Sequence, residues 1–102
     1  MIIHFNDSNL EDLYKLPIGD LGKRQFSKEV IKHFKAKVGI LSNANDLSDI
    51  SKIKGMHLEK LKGKEYKGCY SVRANKQYRI IFNEIKNGKI EILILELSKH
   101  YE

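Results

Sequence analysis

The side chains best suited to chemistry fall in, or just after, the most basic stretch of this sequence. From Lys52 to Arg79 there are nine lysines or arginines and only two acids, whereas charges in the rest of the chain nearly cancel. A positive field confined to so short a stretch is typical of a surface that binds a polyanion, most commonly a nucleic acid. The candidate reactive residues in and beyond this stretch are His57, Glu59, Lys62, Arg73, Arg79, His100 and Tyr101.

Two arginines are placed to hold a phosphate. If the turn at residues 75–77 has three residues, Arg73 lies directly opposite Arg79, where like charges repel unless an anion lies between them. Each guanidinium could donate two parallel hydrogen bonds to phosphate oxygens and stabilise a more negative transition state. Two alternatives are open. A two-residue turn would separate the arginines, and pairing across Asn87-Gly88 would instead put Arg79 near Glu96 in a structural salt bridge.

An acid lies among bases in the segment 57–62. Leu58 and Leu61 are expected to anchor this segment, which leaves the polar side chains projecting outward: His57, Glu59, Lys60 and Lys62. Among lysines, Glu59 would stay ionised and could accept a proton, although simple charge balance in a basic loop is the alternative. His57 is more simply a surface or capping residue. Near the end of the sequence, His100 could act as a general acid and Tyr101 could stack on a base, unless they belong to a frayed terminus.

Length and composition limit the other possibilities. The 102 residues, 41% of them hydrophobic, fit one domain with one core. The lone Cys69 can form no internal disulfide, and no run approaches the roughly 20 apolar residues of a membrane span. We therefore expect a cytoplasmic protein that does not bind membranes. The sequence has no glycine-rich phosphate loop, no cysteine–histidine metal spacing and no nucleophile elbow, so neither a metal nor a cofactor is predicted.

The elements that position these residues can be predicted from periodicity. Residues 1–5 form a first strand, residues 8–16 a short helix, and apolar residues at helical spacing predict a long helix over 22–41. Residues 43–51 suit a turn-rich connection or a single helical turn. Alternating runs at 69–74, 78–85 and 89–97 predict strands, with a two-residue turn at Asn87-Gly88. The expected fold is therefore α+β, with two N-terminal helices packed on one face of a small antiparallel sheet whose edge is the N-terminal strand.

Four runs together resemble the RelE/ParE superfamily of type II toxins, and among them the HigB-like branch. They are Leu58-Glu59-Lys60-Leu61-Lys62-Gly63, Gly68-Cys69-Tyr70-Ser71-Val72-Arg73, Gln77-Tyr78-Arg79-Ile80-Ile81-Phe82 and Glu96-Leu97-Ser98-Lys99-His100-Tyr101. The resemblance extends from about Phe26 to the end and rests on the order and spacing of these runs. It implies a RelE-like α+β domain, which agrees with the fold expected from periodicity.

The resemblance also implies an activity and partners. Such a toxin cuts messenger RNA in the A site of the 70S ribosome without a metal. The RNA 2′-hydroxyl attacks the adjacent phosphate, leaving a 2′,3′-cyclic phosphate and a free 5′-hydroxyl. A cognate antitoxin of the helix-turn-helix, HigA-like kind would neutralise the toxin, and operator DNA would be contacted only through the toxin–antitoxin complex. Most of the catalysis would come from proximity, because the nucleophile belongs to the substrate.

Residue roles follow from the resemblance position by position. Glu59 matches the general base of one branch, where the HigB-like branch has a histidine; His57 is two residues away, and Lys62 could share the role. Arg73, Arg79 and Lys62 match phosphate-binding positions, His100 the terminal acid and Tyr101 a terminal aromatic residue. The residues expected to contact RNA without reacting are Lys54, His57, Lys60, Lys64, Lys67 and Lys76. The rival hypotheses are a ParE-like inhibitor of DNA gyrase and a non-catalytic nucleic-acid-binding module.

Overall fold

Five β-strands and three α-helices make up the part of the chain that the structure, a computed structural model, describes: residues 1–22 and 25–99. Their order is β1 (Ile2–Phe5), α1 (Ser8–Lys15), α2 (Lys28–Asn43), α3 (Leu47–Ser51), β2 (Glu59–Lys60), β3 (Cys69–Arg73), β4 (Tyr78–Asn87) and β5 (Lys89–Lys99). Single turns of 3₁₀-helix occupy Ile18–Asp20 and Lys54–Met56. The predicted α+β class is confirmed. None of these helices has both the length and the apolar character needed to cross a membrane.

Each α-helix begins where a short polar side chain caps it. The caps are Asp7, Ser27 and Asp46, whose side-chain oxygens accept backbone N–H bonds of 2.9, 3.2 and 3.0 Å. These bonds satisfy donors that the first turn of a helix leaves unpaired. Because Ser27 is the cap, α2 begins at Lys28 and not at residue 22 as predicted. The helix α3 confirms one of the two expectations for residues 43–51, that of a single helical turn.

The sheet is mixed, which corrects the prediction of an antiparallel sheet. Its strands lie in the order β1-β5-β4-β3-β2, so the N-terminal strand does occupy an edge. The strands β2 to β5 pair antiparallel, whereas β1 pairs parallel with β5. Turn residues could not have revealed this direction, because the first and last strands are not joined by a hairpin. The two-residue strand β2, at the other edge, was not predicted either.

One apolar core lies between the helices and one face of the sheet. Its fully buried members include Phe34 and Val38 of α2, Phe82 of β4 and Ile92 of β5. Because side chains alternate along a strand, the neighbours of these core residues point to the other side of the sheet. We call that side the open face. Its buried residues are Cys69, Ser71, Arg79 and Ile81.

The two hairpins set the register of the open face. Backbone N–H of Ala74 donates to the carbonyl of Tyr78 at 2.9 Å, so the first turn has three residues, as one of the two predictions required. The second hairpin differs from the predicted two-residue turn, because Asn87 pairs with Lys89 and only Gly88, at φ +77°, lies between them. An irregularity between Ile81 and Phe82 shifts the β4–β5 register once more.

Candidate active site on the open sheet face

Arg79 lies at the centre of the polar groups on the open face and is only 7% exposed. Its Nε donates to Ser71 Oγ and its Nη2 to the carbonyl of His57, each at 2.9 Å. Nη1 lies 3.7 Å from Glu59 Oε1. A buried charge is costly unless it is paired and hydrogen-bonded. Two hydrogen bonds and one ion pair engage the three nitrogens of this guanidinium. Arg79 therefore ties β4 to β3 and to the segment before β2.

His57 takes part in this site through its backbone. It adopts the left-handed conformation, with φ 45° and ψ 56°, at the end of the Lys54–Met56 turn, and its N–H donates to the carbonyl of Lys54 at 3.2 Å. This conformation costs a residue other than glycine about 1–2 kcal/mol. It also aims the His57 carbonyl at Arg79. The His57 side chain is exposed, and its predicted contact with RNA stays a prediction.

Arg73 lies directly opposite Arg79, as the three-residue turn predicts. Ala74 and Tyr78 share the hydrogen bond that closes the turn, so the arginines form the neighbouring pair without backbone hydrogen bonds, in which side chains lie closer together. The repulsion between these like charges is offset on one side by Glu59, whose side chain is 60% exposed.

The alternative role for Arg79, a salt bridge with Glu96, is wrong. The shorter second turn and the strand irregularity together place Ser98 opposite Arg79 and Ile81 opposite Glu96. The acid that Arg79 faces is instead Glu59. Glu59 lies on β2, which pairs with β3 on the side away from β4. Because β2 is only two residues long, periodicity could not reveal it.

The remaining predicted residues fall into two groups. Most are exposed and form no ion pair within residues 1–22 and 25–99: Lys54, Lys60, Lys62, Lys64, Lys67 and Lys76. All but Lys76, which lies on the hairpin between β3 and β4, belong to the segment from the 3₁₀ turn through β2 to β3. No direct contact joins Lys62 to Glu59 or Arg79 among the described interactions. His100 and Tyr101 lie outside the described residues.

A tyrosine holds the basic connection between β2 and β3 across the open face. Tyr66 Oη donates to Glu96 Oε1 at 3.2 Å, which links the connection between β2 and β3 to β5, a strand that is separated from β3 by β4. The Glu96 charge and this hydrogen bond raise the pKa of Tyr66, with smaller effects from burial and from Glu65 and Cys69. Burial, followed by the Glu96 charge, raises the pKa of the Cys69 thiol.

Sequence reasoning missed the role of Ser71, although a signal was present. Ser71 alternates with Arg73 along β3, and the three-residue turn places Ser71 on the same face as Arg79, two residue pairs further along the hairpin. A small hydroxyl residue there leaves room for a guanidinium to lie across the strand. The hydrogen bond from Tyr66 to Glu96 had no comparable signal, because it joins residues 30 positions apart in the sequence.

The described residues include no group of three or more histidines, cysteines, aspartates or glutamates that could hold a metal ion. The open face presents a carboxylate, Glu59, beside the guanidinium of Arg79, with Arg73 as the cross-strand partner of Arg79. A carboxylate of this kind can accept a proton, and guanidinium groups stabilise negative charge on a phosphate. Both functions are presented on neighbouring strands of one sheet.

Comparison with known proteins places this arrangement in a family. Residues 3–98 match the family model described as the RelE-like toxin of type II toxin-antitoxin system HigB. An uncharacterized protein of Haemophilus influenzae is 34% identical over 93 residues, covering 91% of this chain and 87% of that protein.

Solved structures of similar fold extend over the whole chain. The YoeB/ParE toxin from Agrobacterium tumefaciens superposes with a TM-score of 0.55 at 15% identity, covering 99% of this chain and 100% of that one. The YoeB-YefM complex from Staphylococcus aureus includes a chain with a TM-score of 0.52 at 25% identity, covering 99% of this chain and 98% of that one. With the family match spanning nearly all of its residues, this chain belongs to the RelE-like, HigB-like toxins of type II toxin-antitoxin systems.

Proposed function

We propose that this toxin is a metal-independent endoribonuclease that cleaves messenger RNA on the ribosome and thereby inhibits translation. The observation that supports this most is the group around Arg79: a buried guanidinium, a second arginine directly opposite, and an exposed carboxylate 3.7 Å from Nη1. Attack of an RNA hydroxyl on its own phosphate needs a proton acceptor and positive charge beside the phosphate oxygens. The open face carries both.

In the proposed reaction, the 2′-oxygen of one nucleotide bonds to the adjacent phosphorus while the bond to the 5′-oxygen of the next nucleotide breaks. Glu59 accepts the proton of the 2′-hydroxyl, and its 60% exposure leaves it accessible to RNA. Arg73, Arg79 and Lys62 offset the charge on the non-bridging oxygens. His100 protonates the leaving 5′-oxygen, and Tyr101 stacks on a base of the RNA. Both roles rest on the family resemblance alone. The products carry a 2′,3′-cyclic phosphate and a 5′-hydroxyl.

The contacts of Arg79 restrict how a phosphate could bind. Nε and one N–H of Nη2 are engaged by Ser71 and His57, and neither Nη1, which lies next to Glu59, nor the second N–H of Nη2 has a hydrogen bond within the part of the chain that the structure describes. A phosphate bound at Nη1 would bring its neighbouring 2′-hydroxyl towards the carboxylate. Correct placement of a nucleophile that belongs to the substrate supplies much of the rate, and we expect the ribosome to bend the message into that geometry. Activity on free RNA would accordingly be weak.

The proposed partners follow from the family and from the charge distribution. The exposed basic residues would contact the RNA backbone in the ribosomal A site: Lys54, His57, Lys60, Lys64, Lys67 and Lys76. A cognate antitoxin, proposed to be a HigA-like helix-turn-helix protein, would neutralise the toxin. Operator DNA would be bound only through that complex, and the site of action would be the cytoplasm.

The test compares two glutamates of the same basic stretch. Glu59→Gln keeps an oxygen for Arg79 but cannot accept the proton, whereas Glu65→Gln removes the other acid of this stretch, which is also exposed. Wild type and both variants would be induced at equal protein levels, while growth is followed and transcript 5′ ends are mapped within minutes. We expect wild type and Glu65→Gln to arrest growth with new 5′-hydroxyl ends. We expect Glu59→Gln to cleave about 10²–10⁴-fold more slowly, the usual contribution of a general base.

Other outcomes separate the rival functions. Growth arrest by wild type without new transcript ends would contradict the nuclease and favour gyrase inhibition, which can be tested by supercoiling of plasmid DNA. Equal cleavage by Glu59→Gln and Glu65→Gln would remove Glu59 as the base while leaving the nuclease intact. The remaining basic candidates, Lys62 and His57, would then be replaced in turn.

A further inference from the structure

A basic groove lies beside the candidate active site, between helix α2 and the hairpin that joins β3 and β4. It has a volume of about 610 Å³ and is lined by His33, Lys37, Arg73, Ala74, Asn75, Lys76 and Gln77. This volume is within the range of ligand-binding clefts. None of these seven described residues is acidic, and four carry or can carry positive charge.

The positive charges in this groove are held close together. The Arg73 charge acts with burial to lower the pKa of Lys37, burial being the larger cause. Lys37 Nζ donates one hydrogen bond to the carbonyl of Gly55 at 3.0 Å. An ammonium group has three donors, so two remain for a ligand. Like charges kept near each other without an acid in the groove favour an anion there.

The groove is continuous with the site around Arg79. Gly55, which accepts the bond from Lys37, lies in the same 3₁₀ turn that ends at His57, whose carbonyl accepts the bond from Arg79. Arg73 lines the groove and is the cross-strand partner of Arg79. Arg73 thus connects the two regions, and a negatively charged strand held at Arg79 would meet Arg73 before the other basic residues of the groove.

The hairpin wall of the groove is ordered by its own hydrogen bonds. Asn75 Oδ1 accepts the backbone N–H groups of Gln77 and Tyr78, both at 2.8 Å. This fixes the turn that carries Lys76, which lines the groove together with Lys37 of α2. The geometry therefore offers donors from both walls, as a polyanion backbone passing between them needs.

We propose that this groove binds the sugar–phosphate backbone of single-stranded RNA, holding a phosphate next to the one that is cleaved. Lys37 and Lys76 would contact that phosphate from the two walls, and Arg73 would lie between it and the reacting phosphate. The inference rests on the proposed function for its substrate. Of the anions that could fill the groove, RNA is favoured because Arg73 both lines the groove and is the cross-strand partner of Arg79.

The test measures RNA binding without cleavage. A fluorescently labelled 2′-O-methyl RNA of twelve nucleotides cannot be cut, because its 2′-oxygen carries no proton. Its affinity for the full chain would be measured by anisotropy between about 50 and 200 mM KCl. The test variant is Lys37→Gln/Lys76→Gln, and the matched control is Lys86→Gln/Lys89→Gln. The control removes the same charge from exposed lysines at the opposite hairpin.

The expected result is a change in salt dependence limited to the groove variant. Each phosphate contact with single-stranded nucleic acid contributes about −0.7 to the slope of log K against log salt. Because both lysines are proposed to contact one phosphate, the slope of the groove variant should be shallower than that of the control by up to roughly 0.7. If thermal melting shows that the double variant is unfolded, Lys76→Gln is compared with Lys89→Gln, and its slope should again be the shallower one, by no more than roughly 0.7.

Equal slopes for the groove and control variants would overturn the proposal. An unchanged salt dependence of RNA binding, combined with weaker binding of the cognate antitoxin, would also overturn it. The groove would then bind an acidic segment of the antitoxin. Failure of the proposed function looks different, since wild type would then produce no transcript cuts in cells. The binding measurement needs no cleavage and can succeed or fail separately.

Discussion

Replacing Ser71 with alanine should destabilise the protein through Arg79. Ser71 is fully buried, and its Oγ accepts the hydrogen bond from Arg79 Nε at 2.9 Å. Alanine removes the acceptor and leaves a donor of a charged, buried group without a partner. The cavity that the missing hydroxyl leaves is small. The main cost of the substitution is therefore the unpaired N–H of the charged, buried Arg79 guanidinium.

The size of this effect can be worked out from the contacts. Hydrogen bonds to charged groups contribute about 1.5–3 kcal/mol, and Arg79 keeps its contacts to His57 and Glu59. We therefore expect Ser71→Ala to lower the free energy of unfolding by about 2 kcal/mol. For a domain of about this size each kcal/mol shifts the midpoint by roughly 4–8 °C, so Tm should fall by roughly 8–16 °C.

The assay is urea unfolding followed by circular dichroism, with Ser98→Ala as the matched control. Ser98 also lies opposite Arg79, on β5, and has no side-chain hydrogen bond among the described interactions. We expect Ser98→Ala to change stability by less than about 0.5 kcal/mol, as surface substitutions usually do. The slope of unfolding free energy with urea should be unchanged in both variants, because neither alters the surface exposed on unfolding.

A double-mutant cycle decides whether Arg79 carries the effect. With Arg79→Met as the second change, Ser71→Ala should cost much less, giving an interaction energy of about 1–2 kcal/mol. A loss below about 0.5 kcal/mol for Ser71→Ala in the wild-type background, or equal losses in both backgrounds, would refute the account of Arg79 as a buried charge held by Ser71.

Three further predictions concern the surroundings of this site. His57→Gly should keep or slightly raise stability because glycine adopts φ +45° freely; measured by urea unfolding, a loss above about 1 kcal/mol would show that the imidazole is structural. Tyrosine ionisation is followed by absorbance at 295 nm in wild type and in Tyr66→Phe, and the difference between the two curves is the titration of Tyr66. Its midpoint should lie above pH 10, and a midpoint at or below 10.0 would contradict the hydrogen bond to Glu96. Because folding raises this pKa, the stabilising contribution of Tyr66 is fully present below pH 10 and is lost as the pH rises through the folded-state value. Cys69, buried and with a raised pKa, should react with a thiol reagent at pH 8 much more slowly in the native state than in urea; equal rates would count against its burial.

Periodicity predicted the helices and strands whose patterns are contained in a short stretch of sequence. The alternating runs of β3 to β5 are local, so short stretches of sequence encode them, whereas the Ser27 cap of α2 and the length of the turn at 75–77 were decided by the structure. The parallel pairing of β1 with β5 and the two-residue strand β2 depend on contacts between distant segments. No pattern within a short window distinguishes such pairings from their alternatives.

The candidate site divides in the same way. The basic stretch and the presence of Glu59 follow from the sequence. The placing of Arg73 opposite Arg79 was one of two expected outcomes, and the three-residue turn of the structure decided it. The engagement of the Arg79 side chain does not follow. It depends on the left-handed carbonyl of His57 and on β2 bringing Glu59 within reach, neither of which has a periodic signature.

By itself the sequence determined the class of fold, the concentration of positive charge and the family, since each is carried by residue type and spacing. Only the tertiary structure decided which acid Arg79 faces. The second turn and the irregularity after Ile81 each shift the β4–β5 register by one residue, so Ser98 replaces Glu96 as the neighbour of Arg79. Glu96 is then free to hold Tyr66 across the sheet. Register is set by backbone hydrogen bonding and packing along whole strands, and a shift of one residue in pairing changes every contact beyond it.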